Sequence, residues 1–180
     1  MECLGRTLHL VDIENLLNQS PRLVTGDRAV QVFDQYLETA GWQSGDSVVI
    51  ASNPKLMSRM MFQLADIPCR KLCAWGESAA DRLLLAAVPN HVEDRYTRVV
   101  VGSGDHIFSA LINQLSGSKV RTLVIAGAGS TSWQLYSSAD EVYRLRSPSV
   151  TTSHRSAERP LVEAWTTNGT KRTEPALSEC

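Results

Sequence analysis

The sequence lacks the features that would place it in a membrane or secreted class. It has no run of about 18 apolar residues, so no membrane-spanning helix is expected. Its N-terminus has no charged segment followed by a long apolar run, so no signal peptide is predicted. We therefore expect a soluble, cytoplasmic protein with no membrane partner.

The net charge and the cysteine spacing argue against a chain that is attracted to nucleic acid or membrane by its overall charge, and against a cysteine-based zinc site. The formal net charge is only −1, so nothing attracts the whole chain to nucleic acid or to a membrane surface, and any such contact needs a local patch. The four cysteines are Cys3, Cys69, Cys73 and Cys180. They match no zinc-binding pattern, because the single C-x3-C spacing has no second pair. Cys69 and Cys73 are predicted to be buried thiols.

Apolar strands alternate with amphipathic helices along most of the chain. The 180 residues, 43% of them hydrophobic, are enough for one domain with a substantial core. Strands are predicted at 7–11, 47–51, 69–74, 97–101 and 120–126, with a short sixth at 141–145. Helices are predicted after an N-cap at Asp27, after Asn53-Pro54, from Ser78 and from Ile107. Because the strands are apolar runs without strict alternation, both sheet faces should be covered, which predicts an α/β fold with a mostly parallel sheet.

Composition changes after Arg146. Residues 147–180 are rich in Ser, Thr, Arg, Glu and Pro and have almost no hydrophobic periodicity, which predicts a disordered tail after a domain at 1–146. Four basic and four acidic residues balance one another in this tail, so it is not an obvious basic arm for nucleic acid.

Three aspartates are the main candidates for chemistry. Asp12 and Asp105 each follow an apolar strand, and Asp81 opens a helix between them. Ligands bind at the carboxyl ends of the strands in open α/β sheets, so these side chains are expected to share one crevice. Two ionised carboxylates about 4 Å apart repel by roughly 4 kcal/mol, and a cation between them relieves that repulsion. Oxygen ligands favour Mg²⁺ or Mn²⁺ over zinc, and such a site suits phosphodiester hydrolysis.

Structural roles compete with this interpretation. Asp105 is also suited to cap the helix that follows it, and Asp81 lies three residues after Ser78, the spacing of a capping box. Asn15 is equally suited to fixing the turn after the first strand.

Glycine-rich segments leave a further alternative open. Gly102-Ser103-Gly104 raises a nucleotide-binding domain as a weaker hypothesis. Residues 127–130 have the sequence Gly-Ala-Gly-Ser, for which a tight turn is favoured over a phosphate loop.

Four segments together resemble the NYN domains, which have a PIN-like nuclease fold. They are Leu10-Val11-Asp12-Ile13-Glu14-Asn15-Leu16, Ala80-Asp81-Arg82-Leu83-Leu84, Val101-Gly102-Ser103-Gly104-Asp105-His106-Ile107-Phe108, and the stretch from Trp133 to Val142. Each segment is modest alone, but four in the same order over residues 6–146 are fairly specific.

The resemblance implies a fold, an activity and a set of site residues. The fold would be a Rossmann-like three-layer arrangement with a sheet of five or six strands in the order 3-2-1-4-5. The activity would be metal-dependent cleavage of RNA, with Asp12, Asp81 and Asp105 holding Mg²⁺ or Mn²⁺ and Asn15 supporting them. Arg82, beside Asp81, is the best candidate for contacting an RNA phosphate. Ser103 is assigned to RNA binding as well.

The sequence departs from the family pattern at one position. The second acid of the family's Ser-Gly-Asp-x-Asp segment falls on Ile107, and His106 is expected to point away from the site. Two hypotheses follow. The chain is either a ribonuclease or a non-catalytic RNA- or protein-binding regulatory module with a degenerate PIN-like site.

Overall fold

Six parallel strands form one sheet at the centre of the computed structural model, which describes residues 5–19, 23–129 and 131–145. The strands are β1 Thr7–Asp12, β2 Ser47–Ser52, β3 Cys69–Cys73, β4 Arg98–Gly102, β5 Arg121–Ala126 and β6 Glu141–Arg144. Their order is β3-β2-β1-β4-β5-β6, and every neighbouring pair is parallel. The predicted α/β fold and strand order are confirmed, with the short sixth strand added at the β5 edge.

Helices cover both faces of the sheet. They are α1 Ile13–Leu17, α2 Gly26–Ala40, α3 Pro54–Met60, α4 Ala79–Ala86, α5 Ser109–Leu115 and α6 Trp133–Ser138. Successive side chains of a strand point to opposite faces, so each strand feeds two hydrophobic clusters. Val100 packs with residues of α1, α2 and α3, whereas Val99 and Val101 pack with residues of α4 and α5.

Two local predictions are wrong. Helix α2 begins at Gly26, and its N-cap is Thr25, whose hydroxyl accepts a hydrogen bond from the Arg28 amide, so Asp27 lies inside the first turn. Cys73 is exposed and Cys69 is half-buried, because β3 is an edge strand whose side chains are only partly covered. The tail predicted at 147–180 lies outside the described residues.

The described residues include no helix that is both long and apolar enough to cross a membrane.

A series of hydrogen-bonded polar side chains connects β1 to α2 on one face of the sheet. His9 is fully buried; its Nδ1 lies 3.1 Å from the Tyr36 hydroxyl, and its Nε2 lies 3.5 Å from Asp46 Oδ2. A Cβ at position 102 would lie only 2.7 Å from the Tyr36 ring, so this packing needs Gly102. Burial lowers the pKa of His9 from 6.5 to about 4, and the nearby Asp46 charge offsets only part of that effect. His9 is therefore a hydrogen-bonded core histidine.

This histidine predicts a loss of stability in mild acid. Between pH 6.5 and pH 4 the unfolded chain protonates His9 and the folded chain does not, so its contribution to stability, present above pH 6.5, is lost as the pH falls through this window. We expect the free energy of unfolding to fall by up to about 1.4 kcal/mol per pH unit. Urea unfolding at several pH values should show a flatter dependence for His9→Gln. Equal slopes in both proteins would contradict the assignment.

Candidate active site

Asp12 ends β1 and caps α1 without an intervening loop. Its Oδ1 accepts a hydrogen bond from the Asn15 amide at 3.2 Å, which satisfies one of the unpaired N–H groups at the start of the helix. The strand before it is buried along its whole length, and Asp12 itself is only 6% exposed. The fold thus holds a carboxyl group at the carboxyl edge of the central strand, as predicted.

Asp81 lies against Asp12. It is 5% exposed on the first turn of α4, which packs against β1, β2 and β3, and the two carboxyl groups are within hydrogen-bonding range. Its Oδ1 is buried and has no hydrogen-bond partner. Ser78, the N-cap residue, has left-handed backbone angles (φ 51°) and makes no side-chain cap bond. The capping-box alternative for Asp81 is therefore wrong, and its burial has no local structural explanation.

The two carboxyl groups perturb one another. Burial is the largest cause raising the pKa of Asp12 well above its usual range, and the hydrogen bond and charge of Asp81 raise it further. Burial is also the largest cause raising the pKa of Asp81; its hydrogen bond with Asp12 lowers that pKa, whereas the charges of Asp105 and Glu14 raise it. One proton held between the two groups accounts for this behaviour, because two buried carboxylates in contact cannot both ionise at low cost.

Asp105 lies in the loop after β4. Its Oδ1 accepts a hydrogen bond from the Ile107 amide at 3.0 Å, so it caps the short 3₁₀ turn His106–Phe108 as the structural alternative proposed. Its charge nevertheless raises the pKa of Asp81, so it lies near enough to act on the pair. Ser103 is buried, and its hydroxyl accepts a hydrogen bond from the Asp105 amide. His106, which we expected to point away, instead places its Nδ1 2.9 Å from Asp105 Oδ1.

Asn15 and Glu14 connect the loop after β1 to its two neighbours. The Asn15 side-chain oxygen accepts a hydrogen bond from the Gly104 amide at 2.7 Å, which ties this loop to the one after β4. Glu14 accepts a hydrogen bond from the Asn53 amide, in the loop after β2. Its charge raises the pKa values of both Asp12 and Asp81. The structure therefore adds a fourth acid that sequence reasoning missed, and the Asp-x-Glu spacing after a buried strand was the available signal.

Arg82 is exposed beside the acids. It follows Asp81 on α4, donates a hydrogen bond to the Glu77 carbonyl at 3.2 Å, and lowers the pKa of Asp81 through its charge. An arginine in this position is free of the core and close to the carboxyl pair.

The glycine-rich segments do not form phosphate loops. The Gly104 amide is already bonded to Asn15, and Gly102 packs against the Tyr36 ring. A Cβ on Gly127 would lie 2.3 Å from the Leu16 carbonyl oxygen, so that glycine allows close packing on α1. These contacts weigh against the nucleotide-binding hypothesis and against a phosphate loop at residues 127–129.

The donor chemistry suits a hard divalent cation, although the acids are not arranged as a complete metal site. The crevice offers carboxylate oxygens, the ligands that Mg²⁺ and Mn²⁺ prefer. Among them, the buried Asp81 Oδ1 has no hydrogen-bond partner and could serve as a metal ligand. Within the described residues, no group of three or more His, Cys, Asp or Glu side chains lies in a metal-holding arrangement. The Asp12–Asp81 pair is thus the centre of the candidate site, and Asp105 and Glu14 act on it through charge.

The raised pKa values of the buried Asp12–Asp81 pair predict that Asp81→Asn stabilises the metal-free protein. A raised pKa in the folded state means that the Asp81 carboxyl binds more protons in the folded chain than in the unfolded one above pH 4, so its unfavourable contribution to stability grows as the pH rises. Removing the charge should raise the free energy of unfolding at pH 8 by roughly 1–3 kcal/mol, and by less at pH 5. Urea unfolding in EDTA measures both values.

Asp94→Asn is the matched control, because Asp94 is exposed and should change stability by less than about 0.5 kcal/mol. An Asp81→Asn protein less stable than wild type at pH 8 would contradict the proposed shared proton.

Comparisons with known proteins identify the fold and the family of the chain. The chain resembles the crystal structure of a protein of unknown function from Vibrio parahaemolyticus, with a TM-score of 0.58 and 16% identity over 81% of this chain and 96% of that one. At that identity the likeness shows the fold alone. No curated protein matches the sequence. The NYN domain model, from a PIN-like family of nucleases that are typically ribonucleases, matches residues 6–146. The chain therefore belongs to the NYN domain family.

Proposed function

We propose that this protein is a metal-dependent ribonuclease that cleaves phosphodiester bonds in single-stranded RNA. The observation that carries the proposal is the buried Asp12–Asp81 pair at the carboxyl edge of the sheet, with one oxygen that has no partner. Burying two carboxyl groups against one another costs stability, and neither local capping nor packing accounts for Asp81. A site that binds a cation and a phosphate explains why the chain retains this arrangement.

Each site residue has a distinct role in this proposal. Asp12, Asp81 and Asp105 would hold Mg²⁺ or Mn²⁺, and the bound cation would supply a nucleophilic hydroxide and neutralise charge on the phosphate. Asn15 joins the loops that carry Asp12 and Asp105. Ser103 holds the Asp105 backbone from within the core.

The same contacts determine how cation binding should depend on pH and which charged residues surround the site. Burial raises the pKa values of both Asp12 and Asp81, so protons would compete with a cation for these oxygens, and cation binding should strengthen with rising pH. Glu14 adds negative charge from the β2 side of the crevice. Arg82 is placed on the exposed side of α4, where its guanidinium would contact an RNA phosphate.

Cleavage of RNA by the purified protein tests the proposal. We expect Mn²⁺- or Mg²⁺-dependent cleavage of a labelled single-stranded RNA that EDTA abolishes. Asp12→Asn and Asp105→Asn should each lower the rate by about 100-fold or more, the scale on which removing a catalytic group acts. The exposed Asp94→Asn is the control and should retain the wild-type rate. Equal cleavage by wild type and both site variants would indicate a contaminating nuclease and remove the basis for the proposal.

A second function is favoured by one pair of observations. Ile107 stands where the family pattern has an acid, and the described residues contain no complete metal-holding group. These features suit a regulatory module that binds RNA or protein without cleaving it.

Thermal unfolding in Mn²⁺ separates the two functions. A cation that binds the folded state stabilises it by about 2.7 kcal/mol at one hundred times its Kd. For a nuclease we expect the melting temperature of wild type, but not of Asp12→Asn, to rise with millimolar Mn²⁺. An unchanged melting temperature in wild type, together with RNA binding, would support the module instead.

A further inference from the structure

Two exposed tryptophans lie at the same edge of the sheet as the acids. Trp75 follows β3 and is 66% exposed, and Trp133 opens α6 after β5 and is 74% exposed. In the strand order, β3 and β5 each lie two strands from β1, on opposite sides. The tryptophans therefore flank the carboxyl pair at the end of β1 on both sides. Single exposed apolar residues are common, but a large indole ring on each side of a candidate site is a specific arrangement.

Trp133 is held next to the Asp105 loop. The amide of the preceding residue, Ser132, donates a hydrogen bond to the Gly104 carbonyl at 2.9 Å. Tyr136, one helical turn further on, stacks with the Trp133 ring at 6.4 Å between centroids and 18° between planes. The two exposed rings form an aromatic cluster next to the loop that carries Asp105.

Trp75 is held on the other side by the loops after β2 and β3. The Ala74 amide donates a hydrogen bond to the Ser52 carbonyl, which joins these loops. The Lys55 ammonium lies 5.8 Å from the centre of the Trp75 ring, in a cation–π contact. This flank thus combines an aromatic surface with a positive charge.

Positive charge accompanies the aromatic rings on both flanks, whereas the centre is acidic. Lys55 and Arg82 lie on the Trp75 side. On the other side Arg144, at the end of β6, donates a hydrogen bond to the Gly129 carbonyl in the connection that leads to Trp133. Cations on two flanks suit the phosphates of a strand that crosses the sheet edge, and the central carboxylates suit a cation at one of those phosphates.

We propose that Trp75 and Trp133 are base-stacking platforms that hold single-stranded RNA across the candidate site, an inference that rests on the proposed function. Bases in a single strand expose their flat faces, whereas a duplex hides them within its stack. The strands that precede the two platforms, β3 and β5, lie four strand spacings apart, roughly 19 Å, a distance that several nucleotides can span. The scissile phosphate then lies between the two stacked bases, over the Asp12–Asp81 pair.

RNA binding in EDTA tests this proposal without cleavage. The probe is a fluorescein-labelled 12-nucleotide single-stranded RNA of mixed sequence at fixed salt, followed by fluorescence anisotropy. Trp75→Ala and Trp133→Ala should each weaken binding by about 5- to 100-fold, and the corresponding Phe variants by less. A three-nucleotide RNA is too short to reach both platforms and should bind weakly, and a 12-base-pair duplex should compete poorly.

Phe62→Ala is the matched control. Phe62 is 83% exposed and follows α3, which packs beside α2 on the sheet face opposite to α4, the helix that carries Asp81, so its removal should not change RNA affinity. Thermal melting of all variants checks that they fold, which the exposure of these rings leads us to expect.

The outcomes separate this inference from the proposed function. Wild-type affinity in both tryptophan variants, an equal loss in Phe62→Ala, or equal binding of the duplex would overturn the stacking proposal, even if Asp12-dependent cleavage is observed. Tryptophan-dependent RNA binding without any metal-dependent cleavage would support the stacking platforms and leave the nuclease activity refuted.

Discussion

The pairing of β1 with β2 on one side and β4 on the other is the constraint on which the rest of the site depends. Because all three strands are parallel, their carboxyl ends lie at one edge of the sheet. β1 is buried over its full length, so the residue that follows its apolar run is held rigidly beside the core. That residue is Asp12. A surface strand would leave its carboxylate in water with an ordinary pKa, whereas the central strand creates a perturbed acid.

The same pairing brings the other polar groups within reach of Asp12. The loop after β4 is tied to the loop after β1 by the bond between Asn15 and the Gly104 amide, and the loop after β2 is tied to it by the bond between Glu14 and the Asn53 amide. Helix α4 crosses β1, β2 and β3 and places Asp81 on Asp12 from above. Asp12, Asp105 and Glu14 each accept a hydrogen bond from a backbone amide, which is the kind of preorganisation that a cation or phosphate site requires.

Hydrogen bonding and burial also explain which local interpretations failed. Ser78 precedes Asp81 at the spacing of a capping box, but its backbone is left-handed and its side chain makes no cap hydrogen bond. Asp105 is both a cap and a member of the charged cluster, so the two interpretations of that residue are compatible. Glu14 was not identified as a site residue, because a five-residue helix has no periodicity from which to infer a face. Its partner, the Asn53 amide, is 39 residues away along the chain.

The sequence by itself determined the α/β alternation, the parallel sheet and the positions of Asp12 and Asp105 at strand ends, because strand composition and strand termination are local properties of the chain. Only the tertiary structure decided that Asp12 and Asp81 share a buried contact, that Glu14 joins them, and that Trp75 and Trp133 flank them. Those relations depend on which strands become neighbours and on how much water is excluded between them. The pKa of a carboxyl group and the exposure of an indole ring are set by residues far away in sequence, so no local pattern records them.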